Sequence, residues 1–174
     1  MTTQPGILAL GTPEHCYLEL DLEPGRTAEE LVRGVAGLTG PLSSTGGVNL
    51  VVGFRPELWA SVAPDDAPAD AAGWTEDIRG AGGYRMPATQ HDAWVWVAGG
   101  DRTSVFDNAR TVLTSLSGVA RDQWRLTEML RRMAGATDGV RDGLTGFLTP
   151  LTGAYYTCPP VEALARFAPP DEED

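Results

Sequence analysis

Cys16-Tyr17-Leu18-Glu19-Leu20-Asp21-Leu22 alternates apolar with polar side chains, and this alternation sets the fold class. A period of two puts Leu18, Leu20 and Leu22 on one face of a strand and Tyr17, Glu19 and Asp21 on the other. Glu23-Pro24-Gly25 then turns the chain. Thr27 and Glu30 form a capping box, Thr-x-x-Glu, opening a helix to about Leu38 with Leu31, Val35 and Leu38 inward. Gly46-Gly47 precedes a second strand, Val48 to Phe54, whose near-continuous apolar run predicts a central place in a sheet.

Residues 61–90 are rich in Pro, Ala, Asp and Gly and predict a long surface excursion pinned to the body by Trp74 and Tyr84. The third strand, His91 to Ala98, carries Trp94 and Trp96 on one face. After Gly99-Gly100, Asp101 or Thr103 caps a second helix with a stripe of Val105, Phe106, Ala109, Val112, Leu113 and Leu116. Gln123 to Met133 is a helix or a fourth strand; apolar positions 126, 129, 130 and 133 favour helix. Ala168 to Asp174, acidic and Pro-rich, predicts a disordered tail.

Strand, helix, strand, long loop, strand and helix in that order predict an α+β, ferredoxin-like antiparallel sheet with helices on one face only, as in dimeric α+β barrels. One domain, 1–160, is expected, followed by an acidic Pro-rich tail, 161–174. The second sheet face, aromatic at Trp94 and Trp96 and polar at Asp92, calls for a cover. The most economical cover is a second copy of the chain, making a homodimer.

Composition narrows the function. Apolar residues are 42% of the chain, so it is globular rather than disordered. No stretch reaches the roughly 20 apolar residues of a membrane span. Met1 to Gly11 has no basic start before its apolar patch, so no signal peptide is read, and a cytoplasmic protein is expected. The formal charge is −11, and all 13 basic residues are Arg. That charge argues against nucleic acid and anionic membranes, and the lack of Lys excludes Schiff-base chemistry. Cys16 and Cys158 lack CxxC spacing and read as reduced thiols.

Four segments carry a family resemblance. They are Gln4-Pro5-Gly6-Ile7-Leu8-Ala9-Leu10-Gly11-Thr12 with His15 and the first strand; Asn49 to Trp59; Met86 to Val97 followed by Val105-Phe106-Asp107; and Arg141-Asp142-Gly143-Leu144-Thr145-Gly146-Phe147. In this order they resemble the amino-terminal half of bacterial dye-decolourising haem peroxidases. The resemblance implies two ferredoxin-like halves, with the proximal haem-ligating His and the distal Arg in a second half beyond these segments. It also implies a Gly-x-x-Asp-Gly loop whose Asp handles the peroxide proton. The matching run here is Gly146-Phe147-Leu148-Thr149-Pro150, with Thr149 at the Asp and Pro150 at the second Gly. A Thr hydroxyl cannot shuttle that proton at neutral pH, and losing such help costs about 10²- to 10⁴-fold in rate. Pro150 also fixes φ and removes an N–H.

The expected function is therefore a peroxidase-derived half-domain without peroxidase activity. It would self-associate and bind a hydrophobic small molecule or a partner protein, which includes a separate chain supplying the second half. One alternative is a cofactor-independent monooxygenase- or cyclase-like enzyme of dimeric α+β barrel type, with His91, Asp92, Tyr155 and Tyr156 as acid–base candidates. The other is residual haem binding at a dimer interface through His15 or His91, the only imidazoles. No cofactor is expected in the first reading, and no metal site: a zinc site needs three or four converging ligands. Tyr155, Tyr156 and Cys158 form a redox-capable cluster whose alternative role is packing, the ordinary role of Trp94 and Trp96 as well. No phosphate-cradling glycine motif precedes a helix.

Overall fold

The computed structural model describes residues 2–8, 12–38, 47–122 and 156–169. The run Gln123 to Met133, the loop Gly146 to Pro150, Tyr155 and residues 170–174 lie outside the described residues. The strands are β1 (Glu14–Leu22), β2 (Val48–Phe54), β3 (Ile78–Arg79), β4 (Arg85–Met86), β5 (Ala93–Gly99) and β6 (Ala120–Asp122). The helices are α1 (Ala28–Gly37), α2 (Pro56–Val62), α3 (Arg102–Ser115) and α4 (Val161–Ala165).

One sheet has the order β2-β5-β1-β6, with every neighbouring pair antiparallel. β1 and β2, joined through α1, run parallel with β5 between them, which is the split β-α-β arrangement of a ferredoxin-like fold. The period-two reading of β1 holds residue by residue: Cys16, Leu18 and Leu20 are buried, while Tyr17, Glu19 and Asp21 alternate with them and are partly open. Leu18 and Leu20 join Ala93, Val95 and Val97 of β5, Val52 and Phe54 of β2, Leu31 and Val35 of α1, and Val105, Ala109 and Val112 of α3 in one core, whereas Phe106, read into the α3 stripe, is exposed. Both helices thus cover the same sheet face.

The capping box forms as read. The Glu30 amide donates to Thr27 Oγ1 at 3.2 Å, and the Thr27 amide donates to Glu30 Oε2 at 2.7 Å. Asp101, not Thr103, caps α3, its Oδ1 accepting from the Ser104 amide at 2.9 Å.

Several expectations change. Among the described strands, β2 lies at the edge of the sheet and not in its centre. Its apolar run reflects two covered faces rather than two paired edges: the core lies on one side, and the turn Pro5–Leu8 and residues 156–158 on the other. A Cβ on Gly6 would stand 2.7 Å from Val51 Cγ2, and one on Gly53 would stand 3.1 Å from Tyr156 Cβ. The free edge of β2 is closed by polar groups. The buried Gln4 amide donates to Val52 O and accepts from the Val52 amide, both at 2.8 Å, and donates again to Pro159 O at 2.8 Å. Phe54 and Thr157 exchange two backbone hydrogen bonds at 2.9 and 2.8 Å.

A strand of the sheet follows α3 directly as β6, three residues too short to show periodicity. The turn after β2 is the helix α2, started by Pro56 at its first position. It buries Leu58 and Trp59, the latter stacked on Phe54 at 5.5 Å between ring centroids. The surface excursion is present, with the small β3–β4 hairpin inside it. Trp74 and Tyr84 do not pin it, being exposed. Polar contacts do so instead: the Gly73 amide donates to Glu57 Oε1 at 2.7 Å and the Trp74 amide to Gln90 Oε1 at 2.9 Å. The domain also continues past residue 160, because α4, counted above with the tail, buries Ala163 and Leu164 in the core.

Candidate functional site

The sheet face opposite the helices gathers most of the chemistry in the described residues. Antiparallel register sets Tyr17 opposite Trp96 and Glu19 opposite Trp94, and directly opposed residues share a face. The rings stack into a continuous ladder. Tyr17 lies 6.0 Å from both Trp94 and Trp96, with interplanar angles of 14° and 23°. Trp94 stacks on Tyr156 at 6.1 Å and 13°, and His15 lies 5.7 Å from Trp96. Offset stacks of this spacing are each worth about 0.5–1.5 kcal/mol beyond area burial. Gly53, beneath residues 156–158, leaves the room that seats Tyr156 against Trp94.

At the Glu19 end the ladder meets a polar cluster. The Tyr156 hydroxyl donates to Glu19 Oε1 at 3.0 Å. His91 Nδ1 lies 3.1 Å from Asp21 Oδ1, and its Nε2 lies 3.8 Å from Glu19 Oε2. Burial raises the Glu19 pKa above the ordinary carboxylate range, opposed by the neighbouring His91 and the Tyr156 hydrogen bond. The Tyr156 hydroxyl is pushed upward by burial, then by the Glu19 charge and hydrogen bond, so it stays a donor through the neutral range. Burial also raises the Tyr17 pKa.

Asp92 stands apart from this proton cluster. Its Oδ1 takes Arg55 Nη2 at 2.8 Å and its Oδ2 takes the Leu22 amide at 3.0 Å, so it ties β1 to the start of α2. Of the acid–base candidates, His91 and Tyr156 meet at Glu19, while Asp92 is bonded to Arg55 and the Leu22 amide. Glu19 and Asp21, the partners that complete the cluster, were not singled out from sequence. The signal was present in the alternation Tyr17-Glu19-Asp21, but it becomes a site only once register sets Glu19 against Trp94.

His15, exposed at the other end, accepts the Trp96 indole N–H on Nδ1 at 3.1 Å. An indole only donates, so in the neutral ring the proton sits on Nε2. His91 has Asp21 at its Nδ1 and Glu19 3.8 Å from its Nε2. Cys158 is exposed as a residue, although the atoms packed around its thiol raise its pKa by desolvation. Cys16 lies in the core across the sheet. No group of three or more His, Cys, Asp or Glu suited to a metal ion occurs among the described residues. No described helix is long and apolar enough to cross a membrane. The shallow depression lined by Asp107, Arg110, Thr111, Thr114 and Ser115 lies on the outer side of α3 and holds no aromatic ring.

The fold and this face define a ferredoxin-like α+β domain in which, among the described residues, α1 and α3 cover one side of the sheet and aromatic residues line the other. More narrowly, it is the fold of part of a dye-decolourising-type peroxidase. A putative DyP-type peroxidase from Shewanella oneidensis superposes with a TM-score of 0.59 at 16% identity, covering 70% of this chain and 40% of that one. A variant of DypB from Rhodococcus jostii in complex with heme gives 0.55 at 20% identity, covering 66% and 40%. The encapsulated DyP-type peroxidase from Mycobacterium smegmatis gives 0.56 at 19%, covering 70% and 40%. At these identities the likeness is one of fold, and the chain spans about two fifths of the length of each structure. No family model matches the sequence, and no curated protein matches it.

Proposed function

We propose that this chain works through its sheet face as a peroxidase-derived binding domain, self-associating across that face and enclosing an apolar small molecule there. The observation that carries the reading is the ladder His15–Trp96–Tyr17–Trp94–Tyr156, five stacked or tilted rings on the sheet face opposite α1 and α3. Aromatic side chains bury large apolar area at low entropic cost and concentrate at interfaces. A second copy is the occupant that needs no further component, since a two-fold contact sets the same face against itself. A chain of peroxidase second-half type is the competing occupant.

Peroxidase chemistry is not part of this proposal. Thr149 and Pro150 stand where the resembling family carries its proton-handling Asp and following Gly. Light scattering on the purified chain tests the assembly. The expected result is a dimer mass that falls to a monomer mass in Trp96→Asp, with circular dichroism unchanged. A wild-type monomer over a wide concentration range overturns it.

The Glu19–Tyr156–His91–Asp21 cluster favours a second reading, cofactor-independent acid–base catalysis on the bound molecule. An Asp–His pair fixes one ring tautomer, and Glu19 holds its proton to higher pH than an ordinary carboxylate, so donor and acceptor stand side by side. Glu19→Gln and His91→Gln would each abolish turnover of such a ligand while leaving its binding intact; turnover unchanged in both removes this reading.

A further inference from the structure

The β3–β4 hairpin is an exposed arm with two unlike faces. Register sets Ile78 opposite Met86 and Arg79 opposite Arg85, and the Gly80 amide donates to Tyr84 O at 2.9 Å, so the pairing runs on to Gly80 and Tyr84. A Cβ on Gly80 would stand 3.2 Å from Tyr84 Cδ1, which lays the Tyr84 ring over Gly80. Ile78, Tyr84 and Met86 therefore share one face, and Asp77, Arg79 and Arg85 share the other. The apolar face is open, Ile78 being 41% and Tyr84 60% exposed. Two costs go with this arrangement. A lone two-stranded hairpin is marginal in water without something packed on it, and like charges directly opposed across a strand pair destabilise it. Asp77 pairs with Arg85, while Arg79 is exposed and has no ion pair among the described residues.

We infer that this arm is the clasp of a homodimer: its Ile78–Tyr84–Met86 face packs on the body of a second copy, and Arg79 reaches carboxylates at the rim of that contact. The inference rests on the self-association proposed above and adds the element that secures it. Charge selects the occupant. The chain carries −11, and Ile78 to Met86 carries +2 through Arg79 and Arg85, which leaves −13 on the rest. Two such bodies repel one another, and the arm is a cationic segment matched to an acidic surface; a second copy is such a surface. Position agrees. Only Pro87 to Gln90 separate Met86 from His91, whose ring meets Asp21 and Glu19 at the end of the aromatic face. A copy seated on that face therefore comes within reach of the arm. An apolar centre with arginine at its rim is the common anatomy of a protein interface.

Sedimentation equilibrium of the full chain tests this, with hydrogen–deuterium exchange as a second readout. Ile78→Ser together with Tyr84→Ser should raise the dimer dissociation constant at least about tenfold, the effect of losing anchoring side chains. Circular dichroism should not change, because both side chains are exposed in the single chain. Arg79→Glu should also weaken the dimer about tenfold, although it sets an acid opposite Arg85 and so favours the hairpin itself; a role confined to the hairpin would leave the dimer unchanged or strengthen it. In the wild type, the amides of Ile78 to Met86 should exchange more slowly at dimer-forming concentration than on dilution. A dimer of unchanged affinity in both variants, or exchange in the arm that is independent of concentration, overturns the clasp and leaves self-association through the aromatic face standing. A wild-type monomer over a wide concentration range overturns self-association and the clasp together.

Discussion

Replacing Gln4 by Ala should be among the most damaging single changes available in the described structure. Gln4 is fully buried, and its amide makes three hydrogen bonds of 2.8 Å, to both backbone polar groups of Val52 and to Pro159 O. Ala removes all three. Each buried group left unpaired costs about 1–3 kcal/mol. With partial relaxation of the turn Pro5–Leu8, a total of about 3 kcal/mol is expected, a large part of the marginal stability of a domain. For a chain of this size that is a fall in Tm of about 6–12 °C. Urea unfolding followed by tryptophan fluorescence reads it as a lower midpoint with an unchanged slope. Gln4→Glu supplies the control in sign. It keeps the shape and the acceptor but points a carboxylate at two carbonyl oxygens, so its folded pKa rises above the unfolded value. Its stability should therefore approach wild type at low pH and fall as pH rises through the folded pKa. A loss below about 0.5 kcal/mol in Gln4→Ala, the range of ordinary surface changes, would refute the reasoning and mean that the turn does not close the β2 edge in solution.

Further outcomes follow from the sheet face. Burial raises Glu19 above its ordinary value of 4.5, so its stabilising contribution is complete below that value and is lost as pH rises through the higher folded pKa. Urea titrations across that window should show Glu19→Gln gaining on wild type as pH increases; parallel pH profiles would contradict the shift. Gly53→Val should push residues 156–158 off β2, because even a Cβ there meets Tyr156 Cβ at 3.1 Å and Cys158 Sγ at 3.3 Å. Faster reaction of Cys158 with a thiol reagent checks this, and an unchanged rate counts against it. On the function proposed above, hemin added in excess should give no histidine-ligated Soret band; a sharp band lost on His15→Ala or His91→Ala would reverse that expectation.

The local elements were largely decided by the sequence alone. Alternation in β1, the capping box of α1 and the Asp101 cap of α3 are short-range physics: side chains set their own backbone within a few residues, so the signal is contained in the segment that folds. The four resembling segments and the three-dimensional likeness lead to the same ferredoxin-like fold by separate routes. What the sequence could not decide was anything involving pairs distant along the chain. An apolar run in β2 reports that both faces are covered and says nothing of its edges, which Gln4 and Thr157 close from 48 and 103 residues away. Trp59 gave no period because α2 is only seven residues long. The site divides in the same way. Trp94, Trp96, His91 and Tyr156 could be marked as residue types, but Glu19 became the anchor of the cluster only when register placed it against Trp94 and chain closure brought Tyr156 across 137 residues to its carboxylate. Propensity acts along the chain, whereas register and desolvation act across it, and only the folded sheet sets those.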